Sequence, residues 1–167
     1  IIGEITRPVG AGDSRQEAAD AAQPSFQSVL ARIKNRNPRQ AAIARRQLEI
    51  LALLAASGVP TRWLEFADEG SDDAREALNA LIESSLCRLS KDGSKVVLLP
   101  SQGGAVRQEW EIEPAHRERI EKEAVGLLEL VNTVFIWKTR GENQRQEARD
   151  LVDQLRAIAD QDYSRGL

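Results

Sequence analysis

Residues Ser71–Pro100 read SDDAREALNALIESSLCRLSKDGSKVVLLP. The first half sets Ala74, Ala77, Leu78, Leu81 and Ile82 at the three- and four-residue steps of one helix face, with Ser71 or Asp72 available as N-cap. The second half is two β-prone runs, LCRLS and KVVLLP, around KDGS, and Asp-Gly between such runs is a strong hairpin signal. A helix feeding a hairpin raises the question of whether this unit reads DNA, as helix-then-wing units often do.

Upstream, SFQSVLARIKN puts Phe26, Val29, Leu30 and Ile33 on one helix face and stops near Pro38, which disfavours a helical residue before it. RQAAIARRQLEILALLAAS is nearly all apolar from Leu48 to Ala56, the mark of a helix buried on more than one side, and it closes at Ser57-Gly58. TRWLEFADE follows as a short helix with Trp63, Leu64 and Ala67 turned inward. Three helices and a two-stranded wing are the winged-helix arrangement. Downstream, SQGG reads as a loop and AVRQEWEIE as the start of a helix. AHRERIEKEAVGLLELVNTVFIW is a long helix carrying Ile120, Ala124, Leu127, Leu128, Val131 and Phe135, and Gly141 ends that region. The last helix, NQRQEARDLVDQLRAIADQ, is expected to turn Ala148, Leu151, Val152, Leu155 and Ile158 inward. The expected fold is therefore mainly α with a small β-hairpin, a winged helix followed by a helical hairpin. A flexible lead-in covers 1–24, the winged helix with its N-terminal helix 25–113, and the hairpin 114–167.

The composition suits a globular chain. Of 167 residues, 41% are hydrophobic and 29% charged, and no apolar run approaches the roughly 20 residues that span a bilayer. The start, IIGEITRPVG, lacks the basic opening and apolar core of a signal peptide, and the single cysteine, Cys87, can form no internal disulfide. Both point to a cytoplasmic location. The absence of Met suggests a segment excised from something longer, or an edited sequence.

On DNA, the third helix argues against its own motif. Its solvent face offers Asp72, Asp73, Arg75, Glu76, Asn79 and Glu83, whereas an element entering the major groove meets phosphates and normally carries bases and amides. The wing bases Arg88, Lys91 and Lys95 can touch phosphates or simply be solvated surface. A denser cluster stands between Arg32 and Arg46: Arg32, Lys34, Arg36, Arg39, Arg45 and Arg46, with no acid between them in a chain of net charge −3. Segregated charge of this kind can bind a polyanion or an acidic partner; the plain alternative is a solvated rim that complements helix dipoles.

No enzyme can be assembled from these residues. His116, the one histidine, lies in the charged EPAHRERIE and is expected to face solvent; with Cys87 it falls short of the three or four ligands zinc requires. Cys87 itself reads as a packing residue. There is no G-x-x-x-x-G-K-[ST] phosphate loop, and no cofactor or small-molecule substrate is implied. Trp63, Trp110 and Trp137 are too scattered for a base-stacking platform and default to core or interface packing. Val134, Phe135, Ile136 and Trp137 cannot all face one core from a helix, so Phe135 or Trp137 is expected at a contact between molecules or domains.

Three stretches together, ARRQLEILALLAASGVPTRWLEFADE, DDAREALNALIESSLCRLSKDGSKVVLLPSQGGAVRQEW and EAVGLLELVNTVFIWKTRGENQRQEARDLVDQLRAIADQ, resemble the winged-helix domain and following helices of STAND-type signalling NTPases, which carry NB-ARC or NACHT modules. The likeness covers about Ala44 to Gln161. It implies a non-catalytic regulatory or protein-interaction module of a larger assembly, with a protein partner or self-association. In that family a histidine that senses the nucleotide commonly follows the wing; here Leu99-Pro100-Ser101 stand there. The run from LEILALLA to LLPSQGG is also similar to winged-helix repressors of the multiple-antibiotic-resistance type. That resemblance implies a dimeric DNA-binding regulator whose third helix meets the operator, and the acidic face departs from it.

Overall fold

Ser25 opens α1 (Phe26–Arg36), the first helix among the described residues, its hydroxyl accepting from the Ser28 amide at 3.2 Å. Asn37 ends α1 and caps α2 (Pro38–Leu53), accepting from the Gln40 amide through Oδ1 while Pro38 fills the first turn, where its missing N–H is no loss. The computed structural model describes residues 24–54, 56–66, 72–137 and 141–164, the side chains of 135 and 162–164 excepted. Nearly all of the lead-in expected over 1–24, together with Ser71 and the side chain of Phe135, thus lies outside what is described. After α2 come β1 (Val59–Pro60), α3 (Thr61–Phe66), α4 (Asp72–Glu83), β2 (Cys87–Leu89) and β3 (Lys95–Leu98). Next are α5 (Pro100–Ile112), α6 (Pro114–Val131), a π-helical turn over Asn132–Ile136, and α7 (Glu142–Ser164).

The chain is mainly helical with a small antiparallel sheet ordered β1-β3-β2, a winged-helix-like arrangement. Val59 pairs with Val96 and Cys87 with Leu98, so the expected hairpin gains a third strand. That strand is two residues long and half proline, confined to the sheet edge because proline cannot donate to a second neighbour. Gly58 admits it: its φ is +105°, and a Cβ there would meet Val97 Cγ2 at 3.0 Å and the Val96 carbonyl oxygen at 3.1 Å.

The central helix is α2, buried on several sides as its apolar run implied, with α1, α4, α5, α6 and β3 packed around it. One hydrophobic core runs from Phe26 through Trp63, Leu78 and Trp110 to Val131. Two expectations fail here. SQGG is not a loop but the first turn of α5, entered at Pro100; Gly103 is helical and buried, with Leu98 and Arg107 lying 3.4 Å from where a Cβ would stand. In α7, Leu151 and Ile158 pack half-buried against the core as expected, but Val152 and Leu155 face outward, and the residues buried most deeply are Glu147, Asp150 and Gln154. Among the described residues no helix is long and apolar enough to cross a membrane.

Candidate functional site

The basic cluster divides by element. Arg32, Lys34 and Arg36 stand exposed on α1, and no ion pair is formed by them among the described residues. Arg32 and Arg36 flank a cleft of about 270 Å³ between α1 and α4, floored by Val29, Ile33 and Ala80 and shared with Gln40 and Glu83. The α2 members meet acids, most of which come from distant parts of the chain. Arg39 Nε lies 3.3 Å from Asp73, Arg46 Nε 3.3 Å from Glu123, and Arg45 reaches Glu49 at 3.0 Å and Glu109 at 2.9 Å. These pairs span up to 77 positions of sequence, from Arg46 to Glu123, so a window that holds no acid said nothing about pairing.

His116 is not solvent-facing as expected. Its Nε2 donates to Glu49 Oε1 at 2.9 Å and its Nδ1 accepts from Arg119, so the half-buried imidazole joins the α2 network. Glu49, almost fully buried, thereby has both Arg45 and His116 as partners, as a carboxylate removed from water requires.

On α4 the acidic face is in place. Asp72, Glu76 and Glu83 are exposed and Asp73 is half-buried; Arg75 is turned to Asp72 at 3.8 Å and Glu65 at 3.9 Å, while Gln40 donates to Glu76 at 2.9 Å. In the wing, Arg88 and Lys91 are exposed and form no ion pair among the described residues. The turn is organised by Asp92, whose Oδ1 accepts from the Ser90 hydroxyl at 2.6 Å and from the amide and hydroxyl of Ser94 at 3.1 and 2.8 Å. Those bonds, led by the one from Ser90, lower its pKa to about 2.

Lys95 behaves differently from the other wing bases. Its Nζ lies 2.7 Å from Asp150 on α7, a carboxylate only 3% exposed. Glu147, one turn earlier, accepts from Trp63 Nε1 at 2.8 Å and pairs with Arg62. Gln154 donates to the Gly58 carbonyl at 2.9 Å and Gln161 to that of Leu53. The last helix thus covers the β1 edge, α3 and one wing cation with a polar face. Sequence reading missed these residues because acids and amides at helical spacing carry no hydrophobic signal; the only trace is their spacing of three, four and seven. Trp137 is 77% exposed, whereas Trp63 and Trp110 are core.

Among the described residues no group of His, Cys, Asp or Glu is placed to hold a metal ion. Comparison with family models, with curated proteins and with solved structures finds no match.

Proposed function

We propose that the chain is a non-catalytic regulatory module that works by binding protein, as part of a larger signalling assembly. The observation that carries this reading is the α4 face. In a winged-helix-like unit this is the helix that would enter the major groove, and its outward side presents Asp72, Asp73, Glu76 and Glu83 against Arg75 and Asn79. Phosphates at one charge per ~1.7 Å of duplex repel such a face, while a basic protein surface suits it. The internal pairing of Arg39, Arg45, Arg46 and Lys95 supports the same reading, since these cations are already neutralised by the chain's own acids. A cytoplasmic setting belongs to the proposal and agrees with a single free, buried cysteine.

DNA binding is the competing reading, and the exposed Arg88 and Lys91 on the wing favour it. One titration separates the two. Random duplex DNA is added at low salt, where non-specific binders show Kd values at or below the ~10⁻⁴–10⁻⁶ M typical of physiological salt. No saturable binding at that concentration is the expected outcome. Micromolar binding that weakens steeply with salt would overturn the proposal.

A further inference from the structure

We propose that the face made by Leu53, Gly58, Arg62, Trp63 and Lys95 is a receptor for an acidic helix, filled in cis by α7, and that α7 of a second copy of this chain is its partner in trans. This deepens the protein-interaction reading by naming the partner.

The receptor is recognisable by what it offers: two cations, an indole N–H and two main-chain carbonyls, all engaged by one side of α7. The occupant supplies carboxylates three residues apart, Glu147 and Asp150, then amides at Gln154 and Gln161. These are directional contacts whose partners must match in type and order, so they specify a ligand rather than merely cover a surface. Among the described residues apolar attachment to the core is thin: Leu151 and Ile158 are only half-buried against it, and Val152 and Leu155 remain 44% and 47% exposed. If α7 lifts off, the indole N–H of Trp63 and the carboxylates of Glu147 and Asp150 all lose partners. Each side is therefore better occupied than empty, by whichever molecule supplies the match.

A second copy supplies that match by identity. Exchange of α7 between two chains preserves every receptor contact, so what remains is the association term and anything gained at the crossing. Trp137 stands where the chain leaves the π turn for α7, and at 77% exposure it has apolar surface that a chain passing from the partner would cover.

Two full-length variants test this by charge complementarity. E147K/D150K places cations on α7 against a cationic receptor, and R62E/K95E places acids on the receptor against an acidic helix. Alone, each has like charges in cis and in any self-exchange, and each is expected to sediment at 18.5 kDa. Mixed one to one, both trans pairings become opposite in sign, and the expected product is a species of twice that mass. The chain carrying all four changes restores the cis match and is expected to behave as the unaltered protein does. A mixture that stays monomeric up to ~200 µM overturns the exchange without touching the DNA titration, which tests the module reading separately. Should either variant fail to fold, the natural chain decides. Isotopically light and heavy copies are incubated together at high concentration and joined by a zero-length carbodiimide reagent at Lys95 and Asp150. Mixed light–heavy Lys95–Asp150 crosslinks are expected, and crosslinks confined to single chains would overturn the proposal.

Discussion

Cys87 sits at the start of β2, 2% exposed, where burial pushes its thiol up to about 12 from an ordinary 9.0. At pH 8 the thiolate is then about a thousandfold scarcer than in the unfolded chain, so a thiol reagent should modify the protein only through opening. Labelling that matches the rate in denaturant would mean that β2 is not packed as described. The sign for stability follows: the neutral thiol is favoured in the fold, so its contribution is complete below pH 9 and is lost as pH rises towards 12. Two backbone positions give opposite expectations. Ser85 holds φ at +61° after α4, where the Leu86 amide reaches back to the Leu81 carbonyl at 3.1 Å. Ser85→Gly should raise stability by up to about 1 kcal/mol, because glycine adopts that conformation without a Cβ clash. Gly58→Ala should lower it by about 1–3 kcal/mol, since the new methyl meets Val97 and the Val96 carbonyl in a conformation unfavourable to any side chain. Chemical denaturation of the two variants checks both signs.

At the scale of elements, the wing turn and α7 show why some of the fold is legible in sequence and some is not. The faces of α1 and α4 were readable because their apolar residues bury at the spacing that marks a helix: Phe26, Val29, Leu30 and Ile33, then Ala74, Ala77, Leu78 and Leu81. The hairpin was readable because Asp92-Gly93 must sit at a turn, and Gly93 does adopt φ +73°. The β1 edge was not, since two residues have no period, and neither was the first turn of α5, whose Gly103 and Gly104 argue locally for a loop. The docking face of α7 was hidden for a further reason: Glu147, Asp150 and Gln154 are buried by partners 55 or more positions away, which nothing in their own neighbourhood reveals. The turn itself yields a measurement. With its pKa lowered to about 2, Asp92 adds stability to the wing that is present above the usual carboxylate range and is lost only as pH falls through about 2. A carboxyl chemical-shift titration should show that midpoint, and one near 4 would mean that the Ser90 and Ser94 bonds do not persist in solution.

Across the whole molecule, two kinds of cohesion meet at α7. From α1 to α6 the elements share one hydrophobic core centred on α2, and burial of that kind is cooperative because no helix can leave without exposing its neighbours' apolar faces. Among the described residues the last helix is joined to it mainly by charge and hydrogen bonds, with Leu151 and Ile158 half-buried in apolar contact. Individual polar links of this sort contribute about 0.5–3 kcal/mol each, so detaching α7 requires less free energy than dissolving the core. Native-state hydrogen exchange should therefore find two classes of amide: α2 and α4 exchanging only through global unfolding, and α7 through a smaller opening at lower free energy. Salt gives the second half of the prediction. Arg62 and Lys95 keep part of their surface in water, so raising ionic strength should screen their pairs with Glu147 and Asp150 and lower the protection of α7 while leaving α2 almost unchanged. Equal protection of α7 and α2 at every salt concentration would show that the helix belongs to the core's own cooperative unit. Its polar face would then be a fixture of the fold, unable to exchange between copies.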